Sequence, residues 1–221
     1  MEDHAKDDRP ALPGRGGAGG DQMKKLIRFN LEIFTGIMLL FCLITLAFWK
    51  DMSLVKRLAA GYMLLYTLHE WEEGRFPGGF YDLFFGRVGA EIRGDRHAMH
   101  VPAAVLIIVF TVLPWLFDDV LLLLVPPIGL SLFEGVIHTV GILLMKVKRP
   151  YTPGMVTAWF MFAFAVYTIK RLPPLGTATW LAGIALLLVE FIIMQRTFLR
   201  LAGYSYRSLI PLVKKNILGL K

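Results

Sequence analysis

Six long apolar runs, separated by short polar segments, divide most of this sequence. They cover residues 26–49, 54–71, 101–117, 120–145, 155–169 and 180–194. A helix needs about 20 apolar residues to cross the hydrocarbon core of a bilayer, and these runs come close to that length. The sequence is 56% hydrophobic and only 19% charged, which is typical of polytopic membrane proteins and excludes an ordinary soluble domain. We therefore predict an all-α membrane helical bundle of about six transmembrane helices, formed by residues 23–195 and located in the cell membrane.

The two ends of the sequence differ from the apolar runs in composition. Residues 1–22 are rich in Gly and Pro and carry too few apolar side chains to form a packed core, so we predict a disordered tail. Residues 196–221 mix Leu, Ile, Phe and Tyr with Arg and Lys. This pattern predicts a basic amphipathic tail that lies along an anionic membrane surface.

Basic residues are distributed unevenly over the segments between the runs. Of the 24 Lys and Arg, 19 fall on one predicted side of the membrane and five on the other. Because cytoplasmic segments carry the excess of Lys and Arg, we expect both termini to be cytoplasmic. The net charge of +7 comes from these scattered residues and not from one basic face, so nucleic-acid binding is not predicted. The single Cys42 excludes an internal disulfide.

The sequence His-Glu-Trp-Glu-Glu, at residues 69–73, places ionisable groups at the end of an apolar run. Each ionisable side chain in a membrane helix costs about 2.5–3.5 kcal/mol, so such residues are candidates for a functional site. Glu72 and Glu73 lie three and four residues after His69, so on a helix both carboxylates flank the imidazole. Glu70 points elsewhere.

Further His and Glu residues are expected at a similar depth in the membrane. Glu134 and His138, four residues apart in the fourth run, share a helical face, and His100 begins the third run. We predict catalytic roles for Glu72 and Glu73, and a metal site drawn from His69, Glu72, Glu73, Glu134, His138 and His100. We assign interfacial or solvated positions to Glu32, Glu190 and His97.

Two kinds of chemistry are compatible with this set of residues. Neutral imidazole and carboxylate ligands suit a divalent metal such as Zn, Mn or non-haem Fe, whereas the lack of a cysteine cluster argues against thiolate sites. The spacing matches neither His-Glu-x-x-His of zinc proteases nor Glu-x-x-His of di-iron bundles. A site without metal is the alternative, because adjacent carboxylates in a low dielectric hold different protonation states and supply an acid and a base.

These features favour an enzyme that acts on a lipid or other hydrophobic small molecule near the cytoplasmic leaflet. Hydrolysis, oxidation and isomerisation all remain open as reaction types. A proton-coupled transporter is one alternative, since intramembrane His and Glu can relay protons, although the two halves show no internal symmetry. A non-catalytic structural or regulatory membrane subunit is another, because buried ions can simply pair with one another.

The sequence also makes local structural predictions for three shorter segments. Residues 74–100 are predicted to form either an interfacial amphipathic helix or an irregular loop. Asp118 and Asp119 are too costly for the bilayer centre and predict a tight loop between two spans. Pro126 and Pro127 predict a kink or a late start in the fourth span.

The chain carries four short motifs in a fixed order. They are His69-x-x-Glu72-Glu73, Phe76-Pro77-Gly78-Gly79-Phe80, Glu134-x-x-x-His138 and Tyr151-x-Pro153-Gly154-x-x-Thr157. In this combination they resemble the HXXEE-domain family of bacterial membrane proteins, over residues 69–169 in motifs and 31–194 in the arrangement of spans. The resemblance implies a compact multi-helix membrane fold in which these residues are the family signature. It implies no particular reaction.

Overall fold

The computed structural model describes residues 18–144 and 150–220. In this part of the chain, all regular structure is helical, as predicted. The helices are α1 (Ala18–Arg28), α2 (Asn30–Ala47), α3 (Leu54–Gly74), α4 (Phe80–Val88), α5 (Arg96–Leu116), a 3-10 turn (Leu121–Leu124), α6 (Val125–Leu144), α7 (Met155–Arg171), α8 (Thr177–Leu201) and α9 (Tyr206–Asn216).

Four of these segments are long and apolar enough to cross a membrane. They are α2, α5, the 3-10 turn together with α6, and α8, with mean hydropathies between 1.8 and 2.1. The helix α7 is apolar but only 17 residues long. The helix α3 has 21 residues, but it carries Lys56, Arg57 and three glutamates. By length and composition, the described residues therefore contain four candidate spans. The helix α7 differs from them in its length, and α3 differs in its charged residues.

The helix boundaries follow the apolar runs closely, with local differences. The first run divides at Phe29, where α1 ends and α2 begins. Part of the predicted disordered tail, residues 18–22, lies in α1, and residues 1–17 lie outside the described residues. Residues 74–100, for which a helix and a loop are both compatible with the sequence, contain the short helix α4. Residues 196–201 complete α8, so that the basic C-terminal segment begins within a helix and continues as α9.

Proline chemistry sets the start of α6. Pro126 and Pro127 occupy its first turn, where the missing N–H groups would have no intrahelical partner in any case. The late start predicted from the sequence is therefore confirmed. Asp118 and Asp119 lie in the short connection between α5 and the 3-10 turn, as predicted.

Large apolar side chains from α2, α3, α5, α6 and α7 form the main core. Its fully buried members include Phe34, Met38, Tyr62, Met63 and Met161. The helices α6 and α7 pack so closely that a Cβ on Gly135 would lie 2.7 Å from Cβ of Phe162. By contrast, α8 exposes most of its apolar side chains on the outer surface, as a lipid-facing helix does.

A second, smaller core lies at one end of the bundle. It joins α4, the start of α5, the end of α8 and α9 through Phe85, Met99, Leu199 and Leu209. The Asn216 side chain on α9 donates a hydrogen bond to the Val88 carbonyl at 2.6 Å. The helix α9 is thereby held against the bundle, next to the ends of α3, α5 and α6 that carry the histidines and glutamates.

Candidate functional site

The end of α3 presents His69 and Glu73 toward α6. They are four residues apart, and His69 Nε2 lies 3.7 Å from Glu73 Oε1. Glu73 Oε1 also lies 3.1 Å from Nε2 of His138, which is almost completely buried on α6. The side-chain donor atoms of these three residues all lie within 4.8 Å of one another. The structure therefore brings together residues from two helices that the sequence placed in one site.

Glu134 is the fourth member of this group, one helical turn before His138. Its Oε2 lies 3.5 Å from His138 Nε2 and 3.9 Å from His69 Nε2. The Glu134 side chain is 20% exposed, more than those of His69, Glu73 and His138. We refer to His69, Glu73, Glu134 and His138 as the His/Glu centre.

The segment before α7 fixes the orientation of His69. Its Nδ1 lies 3.1 Å from the Gly154 carbonyl and 3.0 Å from Thr157 Oγ1. A carbonyl oxygen can only accept a hydrogen bond, so Nδ1 must carry the proton that points to Gly154. In the neutral imidazole, the lone pair of Nε2 then faces the carboxylates of the centre.

Thr152 orients His138 in the same way. Its hydroxyl donates to the backbone carbonyl of His138 at 3.4 Å, so its oxygen is free to accept the proton of His138 Nδ1, 3.1 Å away. His138 Nε2 is buried and has no hydrogen-bond partner among the described residues. In their neutral forms, both imidazoles thus direct an unprotonated nitrogen at two carboxylates, which is unfavourable unless a cation or a proton lies between them.

The donor atoms of His69, Glu73 and His138, which all lie within 4.8 Å of one another, could hold a divalent metal. Ligands about 2.0–2.1 Å from a tetrahedral metal lie about 3.3 Å from one another. The four contacts between imidazole nitrogens and carboxylate oxygens range from 3.1 to 3.9 Å, on either side of that value. Hydrogen bonds from the second imidazole nitrogen to a carbonyl or hydroxyl are also the usual support of metal-bound histidine.

Gly154 is required by the close approach of the centre to the start of α7. Its φ is +91°, a conformation that favours glycine. A Cβ at this position would lie 2.7 Å from Glu73 Cγ, 2.7 Å from His138 Cε1 and 2.9 Å from His69 Cε1. No larger residue fits there without displacing three side chains of the centre.

Glu72 does not join the His/Glu centre, although the sequence predicts it there. Its carboxylate accepts hydrogen bonds from the Tyr151 hydroxyl at 2.8 Å, from the backbone N–H groups of Val156 and Thr157 at 3.1 and 2.8 Å, and from the Thr157 hydroxyl at 2.5 Å. It thus satisfies the free N–H groups in the first turn of α7, where the helix dipole favours an anion. Burial and the Glu72 carboxylate raise the pKa of Tyr151 above its usual value, so this hydroxyl remains a donor.

His100 also lies outside the centre. Its Nδ1 lies 3.7 Å from Oε2 of Glu70, and its ring packs against Tyr81 with 4.6 Å between the ring centroids. His97 is exposed near the start of α5, as expected. Glu32 pairs with Arg75 at 2.7 Å, and Glu190 is partly exposed on α8.

A cavity of about 440 Å³ opens next to the His/Glu centre. This volume is in the range typical of small-molecule sites. All four residues of the centre line it, together with Glu70 and Tyr81. Most of the remaining wall is apolar and comes from α4, α5, α6, α8 and α9, with side chains such as Phe80, Ile107, Phe133, Phe191 and Val213.

Sequence reasoning missed several contributors to this site. Thr152 gives no sequence signal, because a single Thr in a loop can have many roles. Gly154 and Thr157 belong to one of the four motifs, but their contacts with His69 depend on how α7 packs. Val213 and Ile217, which line the cavity from the C-terminal segment, lie in a part of the sequence that predicts only a surface tail.

Comparisons of the chain with protein-family models, with curated proteins and with solved structures found no match. The chemistry of the site is therefore inferred from the positions of its own side chains.

Proposed function

We propose that this chain is an integral membrane enzyme that acts on a lipid or other hydrophobic substrate near the cytoplasmic leaflet. We also propose that it belongs with the HXXEE-domain proteins, whose motif residues include His69, Glu73, Glu134 and His138. The observation that carries the proposal is the position of the His/Glu centre at the wall of a largely apolar cavity. An apolar cavity with a few convergent polar groups is the usual form of a site for a hydrophobic small molecule.

In this proposal, α3 and α7 cross the membrane together with the four more apolar segments. A helix of 21 residues is about 31 Å long and one of 17 residues about 26 Å, close to the hydrocarbon thickness of about 30 Å. Six spans would place both termini on one side, and the excess of Lys and Arg there supports a cytoplasmic orientation.

Cysteine labelling tests this topology. In a Cys42→Ala background, a cysteine at Lys50 is expected to react with an impermeant maleimide in intact cells. A cysteine at Arg75 or Arg207 is expected to react only after the membrane is permeabilised. Labelling of positions 50 and 75 from the same side would contradict a spanning α3.

His69, His138 and Glu73 are the residues that would hold a divalent metal, with Glu134 beside them. A bound metal of this kind supplies Lewis acidity and lowers the pKa of a coordinated water. The protein contributes the orientation of the ligands through Gly154, Thr152 and Thr157. Glu134, the most exposed carboxylate of the centre, is the group that we assign as general base toward the substrate side of the cavity.

The outer surface of the cavity supports a substrate that arrives from the bilayer. Phe133 and Ile137 line the cavity on α6 and are also 43% and 37% exposed on the surface of the bundle. This surface is apolar and would face lipid in a membrane. A hydrophobic molecule could thus pass between lipid and cavity without crossing water, whereas a polar metabolite would lose its hydration.

Metal analysis of purified protein tests the proposal. We expect about one transition metal ion per chain, retained on a size-exclusion column, and loss of that metal in His69→Gln and His138→Gln. His97→Gln is the matched control, because His97 is exposed outside the cavity and should leave the metal content unchanged. Absence of metal in the wild-type protein, even after incubation with Zn, Mn or Fe(II), would overturn the metal-dependent form of the proposal.

A further inference from the structure

A second polar group lines the same cavity as the His/Glu centre. Glu70 is 4% exposed and lines the cavity. Its ion-pair partner, His100 Nδ1, lies 3.7 Å from Glu70 Oε2, which is beyond hydrogen-bond distance. His100 Nδ1 is itself buried without a hydrogen-bond partner among the described residues. A buried ring nitrogen without a partner thus faces a buried carboxylate across a gap too long for a direct hydrogen bond.

Leaving these groups unsatisfied is costly. A buried donor or acceptor without a partner has lost its hydrogen bonds to water without a replacement, and the loss is greater for an ionised group. The surroundings offer little relief, because the Tyr81 ring packs against His100 and against Phe198. A polar group that enters from the cavity could complete these hydrogen bonds.

A hydroxyl group has the chemistry that this gap requires. Its oxygen can lie about 2.8 Å from each of two atoms, accepting from one and donating to the other. With its proton on Nδ1, which the facing carboxylate favours, His100 donates to the hydroxyl oxygen. The hydroxyl then donates to Glu70. A methyl ether could accept from His100 but would leave the carboxylate without a donor.

We propose that Glu70 and His100 bind a hydroxyl group of the substrate, so that the substrate class is a hydroxyl-bearing lipid or long-chain alcohol. This inference rests on the proposed function, because it assigns a ligand to the cavity of the same site. Glu70 and Glu73 are three residues apart on α3 and both line the cavity. The substrate is thus held by its hydroxyl at one polar group while the His/Glu centre faces another part of the molecule.

Tyr81, whose ring packs against His100, is a further polar side chain beside this pair. Burial raises the pKa of Tyr81 well above its usual value, and the negative charges of Glu70, Glu73 and Glu134 raise it further. Its hydroxyl is therefore protonated at neutral pH and remains a hydrogen-bond donor.

Binding of a matched pair of probes to purified, full-length protein in detergent tests the proposal. The probes are tritiated dodecan-1-ol and unlabelled competitors, namely dodecan-1-ol itself and its methyl ether. The protein is first treated with a chelator, so that no metal can bind the alcohol. We expect the alcohol to compete about tenfold better than the ether, as one charge-assisted hydrogen bond provides.

Two variants and a control identify the residues that hold the hydroxyl. The tenfold preference should fall to about twofold in Glu70→Gln and in His100→Phe, the latter keeping a ring against Tyr81. Glu32→Gln should keep the full preference, because Glu32 pairs with Arg75 away from the cavity wall.

Failure of this inference is distinguishable from failure of the proposed function. Equal competition by alcohol and ether in the wild-type protein, or a preference that survives in both Glu70→Gln and His100→Phe, would overturn the hydroxyl site and indicate a buried water in its place. Metal content, measured separately on untreated protein, is expected to be the same in Glu70→Gln as in the wild type.

Discussion

Two neighbouring carboxylates at the end of α3 have opposite surroundings. Glu72 accepts four hydrogen bonds from Tyr151 and the first turn of α7, whereas Glu73 Oε1 lies 3.7 and 3.1 Å from the Nε2 atoms of His69 and His138. The first carboxylate is fully satisfied within the protein, and the second needs a cation or proton to complete it. The comparison indicates that Glu72 holds α7 in place while Glu73 is available for chemistry.

Gly154 directly precedes the turn of α7 that binds Glu72, and it also lies against Glu73. Gly154→Ala should therefore have the largest effect. The added methyl group would meet Glu73, His138 and His69 within 3 Å, and the backbone would be strained at φ +91°. We expect loss of metal binding and a fall of about 3–5 kcal/mol in the free energy of unfolding. Metal analysis and denaturation in detergent measure the two effects.

Gly79→Ala is the matched control for this substitution. Gly79 also precedes a helix, with φ +90°, but no atom lies within 4 Å of the position of an added Cβ. We expect only the cost of backbone strain, about 1–2 kcal/mol, and an unchanged metal content. Equal effects of the two substitutions would contradict the close packing of Gly154 against the centre.

Glu73→Gln should separate function from stability. The amide keeps the shape of the side chain but removes a charged ligand, so we expect metal affinity to fall about 100-fold or more and activity to be lost. The free energy of unfolding, measured without metal, should change little. Normal metal affinity in this variant would exclude Glu73 as a ligand.

Glu72→Gln should show the reverse pattern. The carboxylate loses its charge-assisted hydrogen bonds to the first turn of α7, and we expect a fall of about 2 kcal/mol in the free energy of unfolding. Metal affinity should fall much less than in Glu73→Gln. A greater loss of metal from Glu72→Gln than from Glu73→Gln would reverse the roles of the two carboxylates.

Thr157→Val tests a side chain that contacts both Glu72 and the His/Glu centre. The Thr157 hydroxyl donates to Glu72 and lies 3.0 Å from His69 Nδ1. We expect about 1 kcal/mol less stability and about tenfold weaker metal binding. Thr139→Val is the control, since the Thr139 hydroxyl bonds to Gly135 and Trp159 outside the centre and should leave metal affinity unchanged.

Tyr151→Phe should have the smallest effect. It removes one of four hydrogen bonds to Glu72, which costs about 1 kcal/mol in the free energy of unfolding. Metal content should stay at the wild-type level, as elemental analysis can establish. A marked loss of metal would mean that the position of Glu72 controls the centre more directly than its contacts indicate.

Much of the helical layout was predictable from the sequence. Apolar length and proline chemistry predicted a helix start at Leu54 and the late start of α6. The division at Phe29 was not predictable, because the apolar run continues through it. For residues 74–100, a helix and a loop were equally compatible with the sequence. A short amphipathic helix of nine residues, such as α4, is stabilised mainly by the residues against which it packs.

The site was predictable in its composition but not in its division of roles. Spacings of three and four residues place Glu72 and Glu73 on opposite flanks of His69, and either flank can face a partner helix. The positions of α6 and α7 decide which carboxylate meets an imidazole, and no local pattern contains that information. For the same reason, His100 is predicted in the metal set but lies beside Glu70.

The distribution of the centre along the chain has a consequence for biogenesis. The side chains and backbone groups that form the centre come from residues 69–73, 134–138 and 152–157. They therefore emerge from the ribosome at three separate stages of synthesis. Until α7 has packed against α3, His69 lacks the carbonyl and hydroxyl groups that orient it. Nascent chains arrested before residue 152 would leave these ionisable groups without their partners and are expected to be substrates for quality-control proteases.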